Sequence, residues 1–410
     1  MITQFEANYP EDGIFDGDIE CSEEYYNWEE KRREQIMLSA EHQDGMNEYY
    51  QSIADVVSKE IEAENFVYSP LNIYLSIALL ADASAGKTKS EILKALNVKN
   101  VEDLRIQVKR LWNANYINAP FAKSVLANSL WMRNDISYRK EGLMRLMNDH
   151  YSSTYIGAMG SDEMNYEFKE WTNKNTGGLL NDHGTEDMKL DPDTVLGLIS
   201  TLFFTSSWAN KFEKEETKSE LFHGINGDTE VHMMHASRFS DIYTRERFKA
   251  VELYLNHSGS VYFFLPEKGV NAREIMRDPE ALAIIRRIGE QNSGFYTVNY
   301  SIPRFKVTNS FQLQRTMESL GIIDAFDQKS ANFSAITDGS RDVWVNSAVH
   351  SAIAEIDEDG VTGAAYTAHL VCGMGFPEDE IDFVLDRPFC FTVVSSDRSI
   401  LFSGVVQSID

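Results

Sequence analysis

The chain has 410 residues, 43% of them hydrophobic, so it can bury a large core. Its formal net charge of −26 disfavours binding to nucleic acid and anionic lipid, and no apolar stretch reaches membrane-spanning length. The three cysteines exclude a disulfide framework. Binding to DNA or RNA needs a concentrated basic stripe, and the best candidate (Arg105, Lys109 and Arg110) is typical of a solvated helix face.

Residues 1–42 differ in composition from the rest, because aromatic residues stand between many acidic ones. This pattern predicts a mobile extension with a short helix around 28–38, either a solubilising tail or a segment that recruits an anion-binding partner. Residues 1–20 lack the basic start and apolar run of a signal peptide. The sequence therefore predicts a cytoplasmic protein, or a secreted one if a leader was removed before this numbering.

The first part of the remaining chain predicts helices. An apolar stripe at helical spacing consists of Met46, Tyr49, Tyr50, Ile53, Val57 and Ile61. Ser69 can cap the following helix, Pro70 fits its first turn, and Gly86 lies beyond its end. Thr88 and Glu91 have the spacing of a capping box and predict that the next helix starts there.

From about residue 195 the composition changes, and runs of β-branched and aromatic residues predict strands. Examples are VLGLISTLFF, SVYFFLP and YTVNYSIPRFKV. A helix ending at Gly321 interrupts them, and the last 70 residues read mostly as strands, with a hairpin turning at Asp397 and Arg398. Helices early and strands late predict an α+β fold, with one domain over 43–410.

The sequence carries no recognisable enzyme motif: it lacks a nucleophile elbow, an HExxH pair, a phosphate loop and a dinucleotide fingerprint. His232 and His235 lie three apart in a predicted strand, where they face opposite sides, and no nearby carboxylate completes a metal site. His350 in an apolar strand is interpreted as a hydrogen-bonded core residue. We therefore expect no catalytic residue, no cofactor and no metal.

Many blocks of the chain, in order, resemble the serpin family. The longest are NFVYSPLNIYLSIALLADASAGKTKSEI (65–92), TLFFTSSWANKFEKEETKSELFH (201–223) and VHSAIAEIDEDGVTGAA (349–365), and shorter ones are ANSLWM, WTNKNTGGLL, IPRFKV, LGIIDAF, DRPFCFTV and ILFSGVV. The resemblance covers about 45–410. It implies a fold of three β-sheets and about nine helices, with an exposed reactive-centre loop at about 358–382.

The resemblance also implies a monomeric suicide inhibitor whose partner is a serine protease. The protease attacks the loop and forms a covalent acyl-enzyme, and the cleaved loop then inserts into the central sheet before the ester can hydrolyse. The alternative is a non-inhibitory serpin acting as a carrier, chaperone or storage protein. Such members tend to carry charge, bulk or proline in the hinge, and this chain has none there.

The hinge and inserting loop implied by the resemblance are Glu358, Gly360, Val361, Thr362, Gly363, Ala364, Ala365 and Thr367. A strand that enters a sheet needs free backbone N–H groups and therefore no proline in its leading part. Alternate side chains must enter the core, where a charge would cost several kcal/mol. Small residues occupy those positions from Val361 onward, although Gly363 stands where inhibitory serpins usually have alanine.

Family spacing counted from Glu358 nominates Met374–Gly375 as the reactive bond, with Leu370, Cys372 and Phe376 as alternates. Methionine suits elastase-, chymotrypsin- or subtilisin-like proteases. No arginine or lysine lies between 360 and 386, which argues against trypsin-like targets.

The resemblance places the shutter, which gates opening of the sheet, at Asn65, Ser69, Asn72, Ser200 and His350. Asn72 stands where serine is usual and Ser200 where asparagine is usual, and both replacements keep a hydrogen-bonding side chain. We interpret this as a rewired network, and a purely structural role for all five residues stays open.

Overall fold

The structure is a computed structural model, and it describes residues 23–118, 122–178, 189–256, 259–289, 291–361 and 379–409. The helices in this part of the chain are α1 Glu23–Ile36, α2 Ala40–Glu60, α3 Pro70–Ala83, α4 Gly86–Ala95, α5 Val101–Asn115, α6 Lys140–His150, α7 Asp162–Thr176, α8 Ala272–Met276, α9 Pro279–Arg286 and α10 Gln314–Ser319. None of these helices is both long enough and apolar enough to cross a bilayer.

The strands of the described residues form two hydrogen-bonded networks. They are β1 Phe66–Tyr68, β2 Ile117–Asn118, β3 Ala122–Arg133, β4 Ser153–Gly157, β5 Leu196–Ser207, β6 Lys218–Gly224, β7 Gly227–Thr244, β8 Phe248–Leu255, β9 Gly259–Pro266, β10 Gly294–Pro303, β11 Phe305–Gln312, β12 Val345–Ile356, β13 Gly360–Val361, β14 Glu380–Val384, β15 Phe389–Val394 and β16 Ile400–Val406.

The first network is the central sheet, in which β5 lies between β3 and β12. Strand β3 is antiparallel to β5 and β12 is parallel to it, while β11 and β4 flank the outer sides of β12 and β3. A parallel pair such as β5 and β12 has no hairpin to join it. The two central strands are therefore far apart in sequence, and their ladder and packing hold them together instead of a connecting turn.

The second network divides into two sheets that share β7, an 18-residue strand. Residues 227–233 of β7 pair with β6, and residues 233–242 pair with β10, which in turn pairs with β14. The last residues of β7, 242–244, pair with β8, which is followed by β9, β15, β16 and β1. Together with the central sheet this makes three sheets mixed with helices. The predicted α+β class and three-sheet architecture are confirmed.

Helix α3 lies at the centre of the molecule. All its residues are buried, and it packs against β3 and β5 on one side and β16 on the other. The predicted start is confirmed, because Pro70 is in the first turn and the Ser69 side chain accepts a hydrogen bond from the Asn72 backbone N–H at 3.2 Å. Helix α2 contributes the predicted apolar stripe, whose residues from Met46 to Val57 are all buried.

The predicted capping box at Thr88 and Glu91 is wrong. Helix α4 begins two residues earlier, at Gly86, without a side-chain cap. Thr88 accepts a hydrogen bond from the Asn332 backbone N–H at 3.1 Å, and Glu91 accepts from the N–H groups of Ile323 and Asp324 at 2.9 and 2.8 Å. Both side chains thus bind a distant loop instead of their own helix end.

The amino-terminal part of the structure is helical where a short helix was predicted. Helix α1 runs from Glu23 to Ile36 and packs against α5, and α2 begins at Ala40 with Ser39 as its cap. The predicted boundary at residue 42 therefore falls inside the first turn of α2.

The basic triplet on α5 does not form a continuous solvent-facing stripe. Arg105 donates two hydrogen bonds to the fully buried carboxylate of Asp82, at 2.6 and 2.8 Å, and His150 also contacts this carboxylate at 3.1 Å. Burial opposes ionisation of Asp82, but the hydrogen bonds from Arg105 and His150 hold its pKa well below the usual range. Arg105 thus has a structural role in joining α5 to the end of α3.

Candidate functional site

Strand β13 is a two-residue strand that lies between β12 and β5 at one end of the central sheet. Val361 pairs with Ile356 on one side and with Ser206 on the other, and Gly360 pairs with Ser207. Beyond this point β12 and β5 pair directly, as far as the Val345–Leu196 pair. The central strands are therefore already separated at one end, and the predicted hinge fills the gap.

The two hinge residues are suited to this narrow position. Val361 is fully buried. At Gly360 an added Cβ would lie only 2.1 Å from the carbonyl oxygen of Ser206, and φ is +157°. A side chain at position 360 would push the hinge away from β5, which explains why glycine is needed there.

The turn before the hinge is fixed by hydrogen bonds. The Asp357 carboxylate accepts from the backbone N–H groups of Asp359 and Gly360, at 2.8 and 3.0 Å. Trp208, which directly follows β5, donates its indole N–H to the Asp357 carbonyl oxygen at 2.8 Å and its backbone N–H to that of Asp359 at 3.0 Å. The end of β5 thus holds the turn in place.

Glu358, the predicted first residue of the loop region, is buried, with its side chain only 5% exposed. Its Oε1 accepts a hydrogen bond from the Thr217 hydroxyl at 2.7 Å, and its Oε2 lies 3.5 Å from the guanidinium Nε of Arg304. The carboxylate is therefore compensated by one hydroxyl and one cation contributed from outside the loop.

Asp359 forms a second ionic contact at the hinge. Its carboxylate oxygens lie 2.8 Å from Lys211 Nζ and 3.0 Å from Lys214 Nζ. Hydrogen bonds from Lys211 and Lys214 hold the pKa of Asp359 below its usual value. These lysines, like Trp208 and Thr217, stand in the 201–223 block, but sequence reasoning did not identify any of them as partners of the hinge.

Four of the five predicted shutter residues form one buried network. His350 on β12 accepts a hydrogen bond at Nε2 from the Ser69 backbone N–H at 2.9 Å, and its Nδ1 lies 3.4 Å from Ser200 Oγ on β5. Asn72 on α3 donates its amide to Ser200 Oγ at 2.7 Å and to the Thr201 carbonyl oxygen at 2.6 Å. The network joins α3 to both central strands.

Asn128 on β3 extends this network and was missed in the sequence. It is buried, and its amide donates a hydrogen bond to Asn72 Oδ1 at 3.2 Å. Asn65, by contrast, does not join the network. It binds the backbone of Gln407 and Ser408 beyond the end of β16, at 2.6 to 3.2 Å. It therefore anchors the carboxyl-terminal segment.

The charge state of the network is set by burial, which lowers the pKa of His350 to about 3. The ring is therefore neutral near pH 7. Since Nε2 accepts from Ser69, the single ring proton is on Nδ1 and points toward Ser200.

Comparison with known families agrees with this architecture. Residues 45–409 match the family described as serpin (serine protease inhibitor). The chain belongs to the serpin family. A similar protein is a serine protease inhibitor of Cyanea capillata, which is 29% identical over 84% of this chain and 92% of its own length. Another is the human leukocyte elastase inhibitor, which is 27% identical over 86% of this chain and 95% of its own length.

Solved serpin structures share the fold. The thermophilic serpin tengpin in its native state superposes with a TM-score of 0.79 at 24% identity, over 92% of this chain and 96% of that one. Human thyroxine-binding globulin, solved in complex with thyroxine, superposes with a TM-score of 0.74 at 19% sequence identity. The match covers 89% of this chain and 99% of that one. At these identities the likeness concerns the fold alone, and the second structure belongs to a serpin that carries a ligand.

Much of this serpin's predicted reactive-centre loop lies outside the described residues. This applies to Thr362, Gly363, Ala364, Ala365 and Thr367, to the nominated bond Met374–Gly375, and to the alternates Leu370, Cys372 and Phe376. The two anchors of the loop are described: Val361 at its start and Asp379 at its end, where the Asp379 carbonyl oxygen accepts from the Thr297 N–H at 3.1 Å.

Proposed function

We propose that this serpin inhibits serine proteases of apolar primary specificity, such as elastase-, chymotrypsin- or subtilisin-like enzymes, by trapping the acyl-enzyme through loop insertion. The observation that carries the proposal is the position of Val361, which lies fully buried between β12 and β5 and pairs with both. The entry point for an inserting strand is thus already occupied by the first residue of that strand.

The topology supports continuation of this strand. Val361 is antiparallel to both neighbours, while β12 and β5 are parallel to each other. A strand that extends β13 would replace one parallel ladder by two antiparallel ladders, and antiparallel pairing is slightly more stable per residue. Insertion therefore increases the number of backbone hydrogen bonds and gives cleavage of the loop a large driving force.

The side chains support insertion as well. Because side chains alternate along a strand, Gly363, Ala365 and Thr367 would follow Val361 onto its buried face. None carries a charge, so none brings the desolvation cost of several kcal/mol that would stop insertion. The absence of proline in the same stretch leaves every backbone N–H free for the two ladders.

The chemistry belongs to the attacking protease. Its serine Oγ adds to the carbonyl carbon of Met374, the bond to the Gly375 nitrogen breaks, and the new amine leaves with the proton that the protease histidine took from the serine. The remaining ester holds the protease on Met374. If the freed loop inserts faster than water attacks this ester, the protease is carried along the sheet and stays acylated.

The test is incubation with pancreatic elastase, chymotrypsin, subtilisin and trypsin, followed by denaturing gels and mass spectrometry of the released peptide. We expect a complex that survives denaturation with at least one of the first three enzymes, and a peptide that begins at Gly375. Clean cleavage within 366–376 without any complex would contradict the proposal and favour a carrier, chaperone or storage serpin.

A further inference from the structure

Two phenylalanines are exposed side by side on the sheet formed by β7, β10 and β14. Phe239 on β7 is 47% exposed and Phe295 on β10 is 57% exposed, with ring centroids 6.5 Å apart. Phe295 pairs directly with Asp241, so Phe239 occupies the diagonal position on the same face. Adjacent exposed aromatic rings cost free energy in water, and such patches mark interaction surfaces.

Acidic side chains border the two rings. Asp241 lies directly opposite Phe295, and Glu380 on β14 lies directly opposite Thr297, the next residue on this face of β10. Asp382 follows two positions along β14, and all three acids are exposed. Asp241 accepts a hydrogen bond from Ser293 and Asp382 one from Asn299, and both donors are neutral, so the face keeps its negative charge.

We call this surface the aromatic–acidic face, defined by Phe239, Asp241, Phe295, Glu380 and Asp382. It adjoins the carboxyl-terminal anchor of the reactive-centre loop. Strands β10 and β14 are parallel, with Thr297 paired to Glu380. The chain that precedes Glu380 therefore arrives from the end of β10 at which Phe295 lies.

Few residues separate the nominated reactive bond from the carboxyl-terminal anchor at Asp379, so a protease bound there lies over this face. Met374 is five residues before Asp379, a segment that spans at most about 18 Å when fully extended. For the alternate Leu370 the limit is about 32 Å. A protease domain of roughly 200 residues has a diameter of about 40 Å, so an enzyme bound at either residue overlies the region around the anchor.

We propose that the aromatic–acidic face is an accessory docking surface for the target protease. It fits an apolar patch that is bordered by lysine or arginine. The two phenylalanines bury apolar area in the complex and slow dissociation, while the three acids raise the association rate by attracting the basic border. This inference rests on the proposed function, since the loop is what brings the protease to this surface.

The experiment uses the full chain and three proteases, chymotrypsin, pancreatic elastase and subtilisin, each with its active-site serine replaced by alanine. These enzymes dock but cannot acylate, so their dissociation constants measure docking without any loop insertion. The variants are Phe239→Ser/Phe295→Ser and, as a matched control, Ile225→Ser. Ile225 is 56% exposed and lies in the β6–β7 turn, at the other end of β7.

For at least one protease we expect the double phenylalanine variant to bind about tenfold more weakly, with Ile225→Ser unchanged. For the same protease, Asp241→Asn/Glu380→Gln should lower the association rate and reduce its dependence on salt. Wild-type affinity of the phenylalanine variant for all three enzymes, or no binding by the wild-type chain, would overturn the inference. Complex formation with the active enzymes is measured separately. If docking depends on the phenylalanines but no denaturation-resistant complex forms, the proposed trapping mechanism is wrong and the docking surface is still supported.

Discussion

His350 accepts a hydrogen bond at Nε2 from the backbone N–H of Ser69, at 2.9 Å, and so ties the first residue before α3 to β12. The other ring nitrogen faces Ser200 on β5. A second proton on the ring would turn the acceptor Nε2 into a donor that faces the Ser69 N–H. One neutral imidazole therefore connects the central helix to β12 and β5, the two strands that the proposed insertion would separate.

The burial of His350 predicts an acid-sensitive shutter. Burial lowers the pKa of His350 from 6.5 to about 3 in the native state. Between these values a state with an open shutter binds more protons than the native state, so native stability rises with pH there. The contribution of His350 is fully present above about pH 6.5 and is lost as the pH falls toward 3. We expect the midpoint of thermal unfolding to be lower at about pH 5 than at about pH 7.5.

The measurement is circular dichroism during heating, at several pH values from about 7.5 to 4.5. His350→Gln keeps an acceptor for Ser69 but cannot titrate, so it should be less stable at neutral pH and less sensitive to pH. His232→Gln serves as a control, because His232 is exposed. Equal pH slopes for wild type and His350→Gln would show that another group controls the acid response.

Glu358→Ala should loosen the hinge. The substitution removes the acceptor of the partly buried Thr217 hydroxyl. A fully buried unsatisfied donor costs about 1–3 kcal/mol, and we expect a loss at the lower end of this range because water can reach Thr217. Arg304 is 47% exposed, so loss of its ion pair adds little. Glu358→Gln keeps an acceptor for Thr217 and should cost less. Glu355→Ala is the control, since Glu355 pairs with Lys306 at 3.4 Å in an exposed position on β12.

The readouts for the hinge variants are the thermal midpoint and the amount of monomer left on a native gel after mild heating. We expect Glu358→Ala to lose monomer fastest, because a loosened hinge leaves the gap between β12 and β5 open to a strand of another chain. Glu355→Ala should resemble wild type. Equal behaviour of the two alanine variants would show that the Thr217–Glu358 hydrogen bond does not hold the hinge.

Local features of the chain could be predicted wherever the signal and its partner lie close together in sequence. Ser69 and Pro70 mark the start of α3, and the hairpin of β15 and β16 turns at Asp397 and Arg398 as predicted. Thr88 and Glu91 have a local motif but bind residues more than 200 positions away. There the tertiary contact replaces the local cap.

The candidate site shows the same limit. The position of Val361 could be anticipated from the resemblance, because the hinge block is continuous in sequence. The lysines that pair with Asp359 lie 148 and 145 positions earlier, on the chain that follows β5. Likewise, Asn128 joins the shutter through Asn72, which is 56 positions away. Their side chains have no property that marks them as partners before the fold brings them together.

The proposed mechanism predicts that Val361→Arg turns this serpin from an inhibitor into a substrate. Val361 is fully buried between two strands, and an arginine there would leave an unpaired charge in the core or force β13 out of the sheet. The loop would still be cleaved, but insertion would be too slow to outrun hydrolysis of the ester. The measurement is the number of inhibitor molecules consumed per protease inactivated. The excess of this number over one equals the ratio of the ester hydrolysis rate to the insertion rate, so it should rise about tenfold if insertion is slowed by about 1.4 kcal/mol.

Val361→Ala is the matched control, because it keeps a small apolar side chain at the same position. It should inhibit with nearly the wild-type ratio and lose only some stability from the smaller buried surface. If Val361→Arg inhibits as efficiently as Val361→Ala, insertion through this gap is not what traps the protease.

Met374→Arg should move specificity toward trypsin-like enzymes. The side chain on the amino side of the scissile bond enters the primary pocket of the protease, and trypsin-like pockets carry a carboxylate that binds arginine. We expect rapid complex formation with trypsin, slower reaction with chymotrypsin and elastase, and a released peptide that still begins at Gly375. Leu370→Arg is the comparison variant for the reactive bond. If Leu370→Arg gains trypsin inhibition and Met374→Arg does not, the reactive bond follows Leu370 and lies nearer the hinge. The loop segment between the hinge and the protease would then be four residues shorter than with Met374 as the reactive residue.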